Sequence, residues 1–110
     1  MPTLHLTKLT CERKQDVTGK DEPRIVVNGE VVWGPGKMAK GDAQPLNVPV
    51  DFGEVAEVKV EEMNGDKAKQ IGAAQSIRVN RPGSPVDFST CGAHYVLQYE
   101  VLETASGTTT

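Results

Sequence analysis

The sequence predicts an all-β fold, an antiparallel β-sandwich of seven or eight short strands. Three observations carry that expectation. Runs rich in β-branched residues recur along the 110-residue chain with apolar and polar side chains alternating, the period of a half-buried strand. Gly, Pro and Asn-Gly breaks separate these runs, as they do in small sandwiches. No capped stretch of helical period is present, apart from a short turn suggested at Lys67-Ala68-Lys69.

The firmest element is a hairpin. Arg24-Ile25-Val26-Val27 and Glu30-Val31-Val32-Trp33 are separated only by Asn28-Gly29, a dipeptide that readily takes the positive φ angles of a type I′ turn. An acidic loop precedes it, placing Asp16, Asp21 and Glu22 around Gly19, so that their oxygens can converge at one end of a sheet.

Before that loop, Thr3 to Cys11 reads as the first strand. Leu4 and Leu6 share one phase and Leu9 and Cys11 the other, and this slip predicts a bulge or a change of partner. Gly34-Pro35-Gly36 ends the hairpin, and Lys37 to Asp42 is a polar connection. Pro45 to Phe52 alternates, with Leu46, Val48, Val50 and Phe52 on one face, and its two prolines mark an edge strand. Val55 to Met63 points Val58 and Val60 inward and Glu57, Lys59 and Glu61 outward. A tight turn at Asn64-Gly65-Asp66 follows.

Ile71 to Asn80 reads as a further strand, weakened by Gly72-Ala73-Ala74, and Arg81-Pro82-Gly83-Ser84-Pro85 breaks the chain. Val86-Asp87-Phe88 forms a short strand. His94 to Leu102 forms the last, with Tyr95, Leu97, Tyr99 and Val101 on one face and apolar residues on the other as well, the pattern of a central strand. Residues 1–103 make one domain, and the small, polar tail from Thr104 to Thr110 is expected to be disordered.

Composition narrows the function. With 25% charged residues and a net charge of -3, the chain lacks the clustered Lys and Arg of a nucleic-acid surface. No apolar run approaches the roughly 20 residues of a membrane span, so no transmembrane segment is expected. Met-Pro-Thr-Leu-His-Leu lacks the charged start and long apolar centre of a signal peptide.

Cys11 and Cys91 are the whole thiol inventory. Paired across the first and last strands, they would close most of the chain and contribute about 4 kcal/mol, pointing to secretion after removal of a leader. As two reduced thiols packed like small apolar groups, they point to the cytoplasm. Both readings stand.

Chemical centres are sparse. His5, Cys11, Cys91 and His94 are the soft metal ligands, but their spacing matches no zinc signature, and ordinary strand roles are the default. Gly34-Pro35-Gly36-Lys37 lacks the spacing and the following helix of a phosphate loop. A Cys91-His94 nucleophile pair needs an orienting group that the sequence does not display. The expectation is therefore a protein that is not an enzyme and uses no cofactor. Trp33, the single tryptophan, is either a binding anchor or a cover for the rim of the core.

The acidic loop resembles the first binding loop of the calcium- and phospholipid-binding C2 domain family. That loop has an Asp, a glycine and then Ser-Asp-Pro-Tyr-Val leading into a strand. Asp16-Val17-Thr18-Gly19-Lys20-Asp21-Glu22-Pro23-Arg24-Ile25-Val26 has this outline with Glu22 inserted, and the stretch from Glu61 through Asn64-Gly65-Asp66 to Ile71-Gly72 resembles the third loop. The resemblance implies a C2-like sandwich with a calcium site at its loop end. Calcium takes six to eight oxygens, and Met63, Lys67 and Lys69 stand where ligands are expected, so at most one weakly held ion is expected, on Asp16, Asp21, Glu62 and Asp66. The alternative is that Asp16 and Asp21 stiffen the loop by bonding its amides.

A second outline runs through nearly the whole domain: Leu4-His5-Leu6, Cys11, Gly19-Lys20-Asp21-Glu22, Val27-Asn28-Gly29, Val32-Trp33-Gly34 and the strand from Gly92 to Tyr99. It resembles small actinobacterial C2-like proteins, some of them similar to adaptor subunits of secreted umbrella-shaped toxin particles. This resemblance implies a non-enzymatic adaptor that joins another bacterial protein of a toxin or secreted assembly, with Trp33, Asp21 and Glu22 at the contact. Two further expectations are calcium-dependent lipid or ligand binding through the acidic loops, and a structural role in a phage-like or injection assembly.

Overall fold

The computed structural model describes residues 1–13, 21–79, 85–90 and 92–102. Asp16 and the acidic loop through Lys20, the break expected at Arg81-Pro82-Gly83-Ser84, Cys91 and the tail from Thr104 lie outside them, together with the expectations that rest on them. The described residues form nine strands in chain order: β1 (Thr3–Arg13), β2 (Pro23–Val27), β3 (Glu30–Trp33), β4 (Ala43–Asp51), β5 (Val55–Asn64), β6 (Lys67–Gln70), β7 (Gln75–Arg78), β8 (Val86–Thr90) and β9 (Ala93–Leu102). The fold is all-β and every strand pairing is antiparallel.

One sheet has the order β4-β1-β9-β8, and the other the order β3-β2-β5-β6, with β7 also on β5. Leu4, Leu6, Leu9, Cys11, Phe88, Tyr95 and Leu97 of the first sheet meet Ile25, Val27, Ala56, Val58, Val60 and Ile77 of the second in one buried cluster. The two apolar faces close on each other as a β-sandwich, removing from water side chains worth about 1.5–3 kcal/mol apiece.

The slip in β1 is real. Its register shifts between Leu6 and Lys8 against both β4 and β9, and Leu4, Leu6, Leu9 and Cys11 all end up fully buried. One residue more than β9 has there turns the second half of the strand over, so Leu4 and Leu6 and then Leu9 and Cys11 face inward. The hairpin also forms as expected, with Asn28 at φ 50° and Gly29 at φ 86°, the two positive angles of a type I′ turn.

Two expectations need correction. Lys67-Ala68-Lys69 is no helical turn but β6, paired to the end of β5 through the Asn64-Gly65-Asp66-Lys67 hairpin. The turn and the ladder outweigh the modest helix preference of Lys and Ala. The strand expected from Ile71 to Asn80 shrinks to β7, because the chain leaves β5 after Ile71 and returns at Gln75. Gly72 makes that excursion, at φ 71°, where a Cβ would lie 2.7 Å from the Ser89 amide nitrogen and 2.8 Å from its carbonyl oxygen. Only glycine fits against the backbone of β8 at that distance.

The excursion also covers a sheet edge. Gln75 Nε2 donates to the Asp87 carbonyl at 3.3 Å, so residues 72–75 lie along the outer side of β8. At the opposite edge, Pro45 and Pro49 of β4 sit in one phase and lack amide protons, which leaves few donors for another chain. The edge strand β3 is short, and Val32 is bulged out between the pairs Val26↔Val31 and Ile25↔Trp33.

Candidate functional site: the loop end of the sandwich

The end of β1, the start of β2, the connection from Gly34 to Asp42 and the β5–β6 turn gather at one end. The topology therefore brings Asp21, Glu22, Glu62, Asp66 and Trp33 to the same end. Their side chains do different things there.

Asp21 is fully buried. Its Oδ2 accepts a 2.6 Å hydrogen bond from the Tyr95 hydroxyl on β9, so the carboxyl group of one sheet's loop is bonded to a side chain of the other sheet. Burial, this bond and the neighbouring Cys11 thiol, in that order, push the Tyr95 hydroxyl far above the ordinary tyrosine range and keep it protonated. The main chain of Asp21 is equally engaged, donating to the Met38 carbonyl at 3.0 Å and accepting from the Met38 amide at 2.9 Å. Met38 is itself buried in the core.

The β3–β4 connection is tied down again at its far end. Ala39 donates to Asp42 Oδ2 at 2.8 Å, closing a local turn, while Cys11 accepts from the Gly41 amide at 2.7 Å and donates to the Asp42 carbonyl at 2.9 Å. The loop is thus stitched to β1 at one point and to Asp21 at another.

Glu62 continues the inward phase of Ala56, Val58 and Val60, and is buried at the end of the core. Its Oε2 accepts from the Glu22 amide at 3.4 Å, and the Glu22 carbonyl accepts from the Met63 amide at 2.9 Å. Asp66, in the exposed β5–β6 turn, has its side chain in solvent. Of the four residues expected to hold calcium, one lies outside the described residues, two are buried and one is exposed. Among the described residues, no three His, Cys, Asp or Glu side chains are grouped as metal ligands.

Trp33 is half-buried and packs against the core cluster. A Cβ on Gly36 would lie 2.8 Å from its Cη2, so the indole lies over the bare backbone of Gly36. Trp33 covers the core rim, with part of the ring still facing out. Asp21, expected at an interaction surface, turns its side chain inward instead. Glu22 stays partly exposed, and Lys37 and Lys40 of the β3–β4 connection are exposed as well.

The soft metal ligands among the described residues, His5, Cys11 and His94, do not converge. His5 is on the outer face of the first sheet with Nε2 2.7 Å from Asn47 Oδ1, whereas Cys11 faces the core. His5 pairs with Glu100, and His94 lies six residues earlier on β9, about 20 Å along the strand and beside Asp87 Oδ1 at 3.7 Å. Reading the sequence also missed Tyr95 as a polar participant. A signal was there, since a tyrosine on the apolar face of a strand brings a hydroxyl that needs a buried partner.

Comparison of the chain with protein-family models, curated proteins and solved structures finds no match. The chemistry of this end therefore rests on its own geometry.

Proposed function

We propose that this protein is a non-enzymatic interaction module that docks another bacterial protein through the loop end of its sandwich, in the manner of an adaptor subunit of a secreted or toxin assembly. The supporting observation is the stitching of that end. The paired backbone bonds between Asp21 and Met38, together with the Tyr95–Asp21 bond, fix the approach to β2 and the β3–β4 connection to each other. Loops held in place before binding lose less entropy on docking, and this favours recognition of a preformed shape. The partly open Trp33 ring, Glu22, Lys37 and Asp66 offer an aromatic anchor among mixed charges, a composition suited to a protein contact.

Co-expression with the products of neighbouring genes tests the proposal. A stoichiometric complex that is lost on Trp33→Ala or on Lys37→Glu, with the fold of each variant intact, is the expected result. Turnover of a substrate by the isolated protein, with no neighbour bound, would overturn it.

A further inference from the structure

Edge strands flank both sheets, β4 and β8 on one and β3, β6 and β7 on the other, and they are not equally closed. Prolines protect β4, residues 72–75 cover β8, and Val32 bulges out of β3. β6 differs from these, since all four of its residues are exposed, and Lys67 and Lys69 stand two apart on one face.

The direction of its backbone groups follows from the ladder. Gly65-Asp66 is a two-residue turn, which makes Asn64 and Lys67 the closing hydrogen-bonded pair, and bonded pairs then alternate along the strand. The Ile71 amide donates to the Val60 carbonyl at 2.8 Å, where that alternation requires a bond. The amide and carbonyl of Ala68 and of Gln70 therefore point away from β5, toward the open edge.

We infer that β6 is a docking edge for an extended protein segment carrying Asp or Glu at alternate positions, which adds to the sheet as a further strand. Main-chain bonds to Ala68 and Gln70 supply the pairing, and the two-residue spacing of Lys67 and Lys69 matches the side-chain period of a strand, so acidic residues on one face of the segment meet both lysines. A neutral or basic strand finds two unpaired positive charges there, and the same lysines deter a second copy of this chain from pairing at the edge. The inference rests on the docking reading above and gives the partner's chemistry.

The probe is a short synthetic peptide alternating glutamate with threonine, compared with the same peptide carrying lysine for glutamate. Binding of the acidic peptide alone is expected, with amide shifts centred on Ala68 and Gln70 and an affinity that falls as salt rises. Reversing both lysines, K67E with K69E, is expected to weaken it about tenfold, the sum of two exposed ion pairs. A68P removes an outward amide without touching the β5 ladder and is expected to weaken binding while leaving the fold unchanged. Equal binding of the two peptides, shifts elsewhere, no binding, or indifference to both changes would overturn the inference. A neighbour-gene complex that dissociates on Trp33→Ala but ignores A68P and the lysine reversal would remove the edge and leave the docking reading standing.

Discussion

The Tyr95 hydroxyl donates to Asp21 Oδ2 at 2.6 Å across the interior, joining β9 of one sheet to the approach to β2 of the other. Both residues are fully buried, so neither exchanges this bond for one to water at low cost. Tyr95→Phe removes a donor from a buried carboxyl group and is expected to destabilise the fold by about 1–3 kcal/mol. Asp21→Asn keeps an oxygen acceptor and is expected to cost less than Asp21→Ala. Urea unfolding of the three variants ranks them, and a neutral Tyr95→Phe would show that the bond contributes nothing to holding the sheets together.

The same tyrosine makes stability sensitive to alkali. An unfolded chain releases the phenolic proton near pH 10, while the folded chain retains it because burial and the Asp21 bond raise the folded pKa. The folded state thus binds more protons above that pH. The Tyr95 contribution is complete below about pH 10 and declines by about 1.4 kcal/mol per unit as pH rises beyond it. Ultraviolet absorbance should show a tyrosinate component that appears only with unfolding and is absent from Tyr95→Phe. A component that ionises while the far-ultraviolet circular dichroism is still native in the wild type alone would contradict this.

Gly29 and Gly72 both have positive φ, yet only one is crowded. A Cβ on Gly29 meets nothing within 4 Å, so Gly29→Ala is expected to cost only the backbone strain, about 1–2 kcal/mol. Gly72→Ala adds a clash with the Ser89 backbone and is expected to cost about 1–3 kcal/mol more. Denaturation midpoints of the two variants give the comparison directly, and equal losses would mean that β8 yields to the excursion.

Replacing Pro45 and Pro49 together by threonine restores two outward amides on β4. Folding stability is expected to change little, while sedimentation should report concentration-dependent self-association. A monodisperse double variant would show that the prolines have no role in guarding that edge.

Elements whose rules are local were legible in the sequence. Asn28-Gly29 dictates its hairpin, and the Leu6 to Leu9 slip announces the bulge. β6 was not legible, because Lys-Ala-Lys-Gln carries no apolar period and is held only by its turn and the β5 ladder. Glu62 lay in plain view, since the alternation that buries Val58 and Val60 carries it inward, yet an acidic residue at a loop end reads first as a ligand. The bond between Asp21 and Tyr95 joins residues 74 apart in sequence, and no local pattern reports such a meeting.

The offset at Thr7 acts as an index mark for three strands, since β1 carries one residue more than β9 there and one fewer than β4. Both neighbours of β1 are offset at the same place, so neither can slide by one position without losing its match to that offset. A chain shortened by one residue at Thr7 would have to turn either Leu4 and Leu6 or Leu9 and Cys11 toward water, so geometry fixes the length at that position whatever side chain stands there.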